Sequence, residues 1–252
     1  MFYKRLLATL AALIIVLGVP VPAMASTLLY AGSDVTADGG TIFGRVEDTS
    51  PDSAKLFNVY PAGAHPKGEE YAGCYGFTWI YSHDSYGYTG FSDDNSQGIC
   101  PDCGSAHPHT PHQAGGTNEK GLSVTATGIL HQNDEIRNID PYVKAGIDEA
   151  EITTILLGEA ATAKDAMLLL TTIYNSYGAR RGVSVLVADP MEAWYNETLS
   201  GTQFAAVRLN PALLMLSADV SAIGRIDLDD TENIVTSHAL IETAVEAGTF
   251  VG

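Results

Sequence analysis

Hairpins that never alternate with helices in a βαβ rhythm are what most constrain this chain. Val183-Ser184-Val185-Leu186-Val187-Ala188 and Glu192-Ala193-Trp194-Tyr195 flank an Asp189-Pro190 turn, and Phe204 to Leu209 reads as a third strand. The segment is therefore a meander. Just before it, Thr162 and Asp165 make a capping-box-like start, and Ala166, Leu169, Leu170, Ile173 and Tyr177 recur at helical spacing until Gly178 ends the run. Those apolar positions predict core. Helices gathered between sets of hairpins predict an α+β fold with mostly antiparallel sheet, and no internal repeat is visible.

The N-terminal half repeats the hairpin theme. Leu28, Leu29 and Tyr30 suggest a first strand, Asp38-Gly39-Gly40 a turn-forming link, and Thr41 to Arg45 a second strand. Pairing of the two would bring Ser26 beside Arg45-Val46-Glu47-Asp48. Residues 61–116 read as a long loop region holding one strand around Phe77-Thr78-Trp79-Ile80. Asn118 to Gly121 then turns into the strand Leu122 to Thr127. Near the end, Ser237 reads as the cap of a helix carrying Leu240, Ile241, Ala244 and Val245, closed by Gly248.

The extreme N-terminus has its own signature. Lys4 and Arg5 precede an apolar run from Leu6 to Leu17, Gly18 and Pro20 break it, and Ala23-Met24-Ala25 supplies the small residues a signal peptidase reads. Residues 1–25 are thus expected to be a signal peptide and residues 26–252 one domain, exported to a secreted, periplasmic or cell-surface location. Stable membrane insertion after cleavage is not expected, because no later segment is long and apolar enough to span. With 30 acidic against 13 basic residues the chain carries a net charge of −17, which argues against a nucleic-acid partner. Of three cysteines, Cys100 and Cys103 form a C-P-D-C pair near His107, His109 and His112. That spacing suits a disulfide-stapled loop, a redox motif or part of a metal site. Export favours the disulfide, with metal binding through Cys100, Cys103, His107 and His109 as the alternative and no cofactor required.

Cleavage after Ala25 would leave Ser26 with a free α-amine. Such an amine, of ordinary pKa ~7.7–8.0, is partly neutral near pH 7 and can take the serine's own proton. No histidine is then needed.

The run Ser26-Thr27-Leu28-Leu29-Tyr30-Ala31-Gly32, with Ala37-Asp38-Gly39-Gly40-Thr41-Ile42 and Gly44-Arg45-Val46-Glu47-Asp48, resembles the opening of the peptidase C69 dipeptidases, relatives of penicillin V acylase and bile salt hydrolase. Thr117 to Leu122, Thr162 to Ala166, Tyr177-Gly178, Ala188-Asp189 and Glu192 to Tyr195 resemble the same family in the same order. The resemblance implies a four-layer αββα N-terminal-nucleophile hydrolase sandwich that cuts a dipeptide or small amide. Ser26 stands where that family carries a nucleophilic cysteine, Arg45 and Asp48 match the Arg-x-x-Asp pair of the wider acylase group, and Asn118 matches an asparagine whose backbone N–H resembles an oxyanion-hole donor in the acylases. No asparagine near Leu216 to Asp219 matches the second donor. The chain is also shorter than the resembled dipeptidases, which implies an N-terminal portion with an incomplete sandwich. An acylase acting on N-acyl amino acids and a catalytically silent binding protein are the alternatives. Trp194 and Tyr195 are expected in the core, Asn196-Glu197-Thr198 is a glycosylation sequon, and oligomeric state is left open.

Overall fold

The computed structural model describes residues 26–48, 54–93, 113–128, 132–218 and 220–250. Its strands are β1 (Thr27–Ala31), β2 (Ile42–Val46), β3 (Lys55–Tyr60), β4 (Glu70–Ala72), β5 (Thr78–Ile80), β6 (Tyr88–Asp93), β7 (Gly115–Asn118), β8 (Ser123–Gly128), β9 (Val183–Ala188), β10 (Ala193–Thr198), β11 (Phe204–Arg208), β12 (Leu214–Ala218) and β13 (Ile234–Thr236). The helices are α1 (Asp134–Ile139), α2 (Glu149–Glu159), α3 (Ala163–Tyr177) and α4 (Leu240–Glu246).

An eight-stranded antiparallel sheet of order β13-β11-β10-β9-β8-β7-β6-β3 forms the centre, and a three-stranded sheet β12-β1-β2 lies across part of it. The alternation of the meander strands decides which side chain serves which face. Val183, Val185 and Val187 point to α2 and α3, where Ile155, Leu156, Met167, Leu170 and Tyr174 bury against Trp194 and Phe204. Leu186, Ala188, Ala193 and Tyr195 point the other way, onto Leu28 and Tyr30 of β1. The expected antiparallel α+β architecture is present, with one helical layer and two facing sheets. On the outer face of the smaller sheet Ile42, Val46, Leu214 and Leu216 are each more than half exposed.

The β1/β2 hairpin, the meander and α3 form where the sequence places them; Thr162 caps α3 by accepting from the Asp165 N–H at 3.1 Å, and Gly178 ends it at φ 72°. Three expectations need correction, and α2 carries no local signal of its own. Residues 61–116 are less loop than the Gly- and Tyr-rich composition suggests, since β4, β6 and β7 join β5 there. In α2, ten of eleven residues are buried, so it shows no amphipathic period to read. Ser237 does not cap α4: its hydroxyl donates to Gln203 Oε1 at 2.6 Å and accepts from the Phe204 N–H. The Asn196-Glu197-Thr198 sequon lies wholly inside, at 2%, 1% and 2% exposure, and so is closed to a glycosyltransferase in the folded state. Among the described residues no helix is long and apolar enough to cross a membrane.

Candidate active site

Antiparallel pairing sets Thr27 opposite Val46 and Leu28 opposite Arg45, so Ser26, at the head of β1, comes beside the end of β2 as the hairpin reading requires. Ser26 and Arg45 meet there. Arg45 Nη2 lies 3.4 Å from Ser26 Oγ. The inward-facing arginine has a side chain only 11% exposed, and burying an unpaired charge would be prohibitive. Its head is accordingly surrounded by acceptors. Nη1 donates to the backbone carbonyls of Ala114, at 3.1 Å, and Ala126. Nη2 also donates to Glu47 Oε1 at 3.0 Å and to Glu149 Oε1 at 2.9 Å.

From that arginine a row of alternating charge runs both ways. Glu47 Oε2 meets Lys55 Nζ at 2.5 Å, and Lys55 also pairs with Asp93. In the other direction Glu149 Oε2 meets Arg181 Nη2 at 3.2 Å, and Asp148 pairs with both Arg181 and Arg180. Local sequence explains the placement of the acidic pair. Asp148 and Glu151 form a capping box that starts α2, which puts Glu149 at the first helical position, where the helix dipole favours a carboxylate. Burial raises the Glu149 pKa above the ordinary glutamate range, although Arg45 and Arg181 pull it down.

The other residues singled out from sequence fall elsewhere. Asp48 is exposed beyond β2, and the carboxylate that meets Arg45 from this strand is Glu47. Asn118 is buried on the helical side of the sheet. Its backbone N–H donates to Leu122 O at 2.9 Å, and its side-chain amide donates to Leu157 O at 3.0 Å and Ala160 O at 2.8 Å. Its side-chain oxygen accepts from the N–H groups of Lys120 and Leu122. With every group engaged there, Asn118 ties a hairpin to the end of α2 and is not brought to Ser26. Cys100, Cys103, His107, His109 and His112 lie outside the described residues.

Two polar features share the space between the sheets. Tyr195 Oη donates to Glu197 Oε1 at 3.0 Å and lies 3.0 Å from Ser217 Oγ; Glu197 also accepts from the N–H groups of Ala222 and Ile223. Burial raises the Glu197 pKa, more than those N–H groups lower it. Toward the far end of β1 a cavity of about 900 Å³ is lined by Tyr30, Phe43, Ala188, Glu192, Arg208 and Asp230, and neither Ser26 nor Arg45 reaches it. Its charges are already matched: Arg208 Nε pairs with Glu192 Oε2 at 2.8 Å, and Asp230 accepts from Asn233.

Facing antiparallel sheets under a helical layer, with a serine at the head of a strand and an arginine beside its hydroxyl, define an α+β sandwich with a serine–arginine pair at a strand head. The chain belongs to peptidase family C69, whose family model matches residues 25–251. It is 32% identical over 227 residues to a probable dipeptidase B of Streptococcus pyogenes serotype M1, covering 90% of this chain and 43% of that protein. It is likewise 32% identical over 232 residues to a probable dipeptidase of Salmonella dublin, covering 90% of this chain and 50% of that one. The chain thus spans about half the length of the curated relatives it matches. A structure of penicillin V acylase from Agrobacterium tumefaciens aligns with TM-score 0.40 and 18% identity, over 77% of this chain and 49% of that one.

Glu149 and Glu47 are the site residues that sequence reasoning missed. The capping box at Asp148 marks a helix start, but nothing local says that its next residue meets a strand 104 positions away.

Proposed function

We propose that this chain carries the nucleophile of a dipeptide hydrolase, with Ser26 as the attacking residue and its own α-amine, freed by removal of residues 1–25 on export, as the general base. The observation that carries the reading is Arg45 Nη2 at 3.4 Å from Ser26 Oγ. Membership of peptidase family C69 and the names of the dipeptidase relatives support the substrate class.

In the first step the Ser26 Oγ–C bond forms at the substrate carbonyl carbon, and the hydroxyl proton passes to the α-amine. Negative charge collects on the carbonyl oxygen, and the nearby Arg45 guanidinium lowers the cost of building it. The ammonium then gives its proton to the departing nitrogen as the C–N bond breaks, leaving an ester on Ser26. Water attacks that ester, its proton going to the amine; the C–Oγ bond then breaks, the acid product leaves, and the ammonium returns its proton to Oγ. A positive neighbour also favours the neutral, basic form of the amine.

Turnover of dipeptides by exported protein, whose intact mass should begin at Ser26, tests the reading against Ser26→Ala and Ser26→Cys. The alanine variant should be inactive, and the cysteine variant should hydrolyse dipeptides and become sensitive to alkylation at residue 26. Parent-like turnover by Ser26→Ala sinks the proposal.

A further inference from the structure

We propose that Glu149 is a positioning residue: its carboxylate holds the Arg45 guanidinium against residue 26, and the reactivity of that residue depends on it. The inference rests on Ser26 being the reactive residue. Arg45 Nη2 serves Glu149 at 2.9 Å and Ser26 at 3.4 Å at once, so whatever fixes that nitrogen fixes the distance to the hydroxyl. Its two carboxylate partners are not equivalent. Glu47 lies two residues along the same strand and is shared with Lys55 at 2.5 Å, so it travels with the arginine it would have to anchor. Glu149 comes from a different layer. Its backbone sits in the capped first turn of a helix that is buried almost throughout, and its second oxygen is held by Arg181 at 3.2 Å. The carbonyls of Ala114 and Ala126 locate Nη1, and Glu149 supplies the further anchor that fixes the plane of the planar guanidinium.

Burial raises the Glu149 pKa in the folded chain, with Arg45 and Arg181 opposing. The folded state therefore holds that proton more tightly than the unfolded state, and the stability so gained is lost as pH rises from the ordinary glutamate range through the raised value. Above that window the titration contributes nothing, and the ionised carboxylate serves as counter-charge to Arg45 and Arg181.

The test uses exported, processed protein with cysteine at position 26, whose thiol pKa is read from the pH dependence of iodoacetamide alkylation, with mass mapping of the residue 26 peptide. The thiolate is stabilised by a guanidinium held beside it, so the two possibilities differ in sign. If Glu149 positions Arg45, Glu149→Ala releases the arginine and the thiol pKa rises by ~1 unit toward its ordinary value. If Arg45 stays without it, removal of a negative charge lowers the thiol pKa. A fall, or no change, overturns the proposal. In the Ser26 protein, Glu149→Gln should lower kcat for a dipeptide ~10-fold and Glu149→Ala ~10²-fold, with KM within about threefold. A loss of kcat that merely follows a loss of melting temperature also overturns it. Failure of the underlying reading looks different: Ser26→Ala then turns over like the parent, whatever the Glu149 variants do.

Discussion

The two faces of the eight-stranded sheet are packed by different means. On the helical face a continuous apolar core runs from Tyr71 and Phe77 through α2 and α3 to Trp194 and Phe204. On the other face seven buried residues, among them Leu28, Leu186 and Tyr195, join the smaller sheet to the larger with Phe43, Val207, Met215 and Ile223 packed against them, and polar groups share that interface: Arg45, Ser217, Glu197 and the hydroxyl of Tyr195. The helical face contributes most of the apolar burial. The opposite face accepts buried charge and hydroxyls, which an apolar interior disfavours, and in return holds a serine and an arginine in fixed relation. Apolar packing and buried polar groups are divided between the two sides of one sheet.

Truncation on the helical side should produce the largest effect. Trp194 is fully buried, and Trp194→Ala should destabilise by ~3–5 kcal/mol in urea unfolding. A smaller loss than for an inter-sheet residue would reverse the comparison. Leu28→Ala, in the inter-sheet core, should cost about 2–3 kcal/mol, because a thinner core under an exposed outer face has more freedom to relax. Asn118→Ala sharpens the division of labour. It orphans the Leu157 and Ala160 carbonyls and two N–H groups, for a loss of ~1–3 kcal/mol, yet hydrolysis per folded molecule should be unchanged. A large fall in kcat with intact folding would return Asn118 to the active site.

The smallest effect concerns Glu197, whose pKa burial raises. Its folded form binds a proton more tightly than the unfolded chain does. Its contribution is therefore full below the ordinary glutamate pKa and lost as pH rises through the folded value. Glu197→Gln should thus gain stability relative to the parent between pH 4 and pH 8, measured as the difference between their unfolding free energies. A difference that is flat with pH, or that moves the other way, would show the carboxylate to be well satisfied when ionised.

Much of this molecule is legible one segment at a time. Period-two alternation with an Asp-Pro turn specifies the meander, and Thr162 with Gly178 brackets α3, because turn and cap chemistry act within a few residues. The same locality makes Ser26 and Arg45 readable as neighbours, since one hairpin joins them. Where burial is complete the local signal disappears: α2 is buried on every side, and the strands β4, β6 and β7 sit in a stretch whose glycines and tyrosines read as loop. Long-range pairing is the other limit. Asp48 and Asn118 are plausible from spacing, but strand direction leaves Asp48 in solvent, and sheet packing turns Asn118 toward the helices. Residue order alone therefore determines the hairpins, the capping of α3 and the serine–arginine pair. Only the stacking of one sheet on another, with a helix start brought to their edge, decides that Glu47 and Glu149 surround the arginine, because a buried guanidinium must find its counter-charges wherever the layers meet.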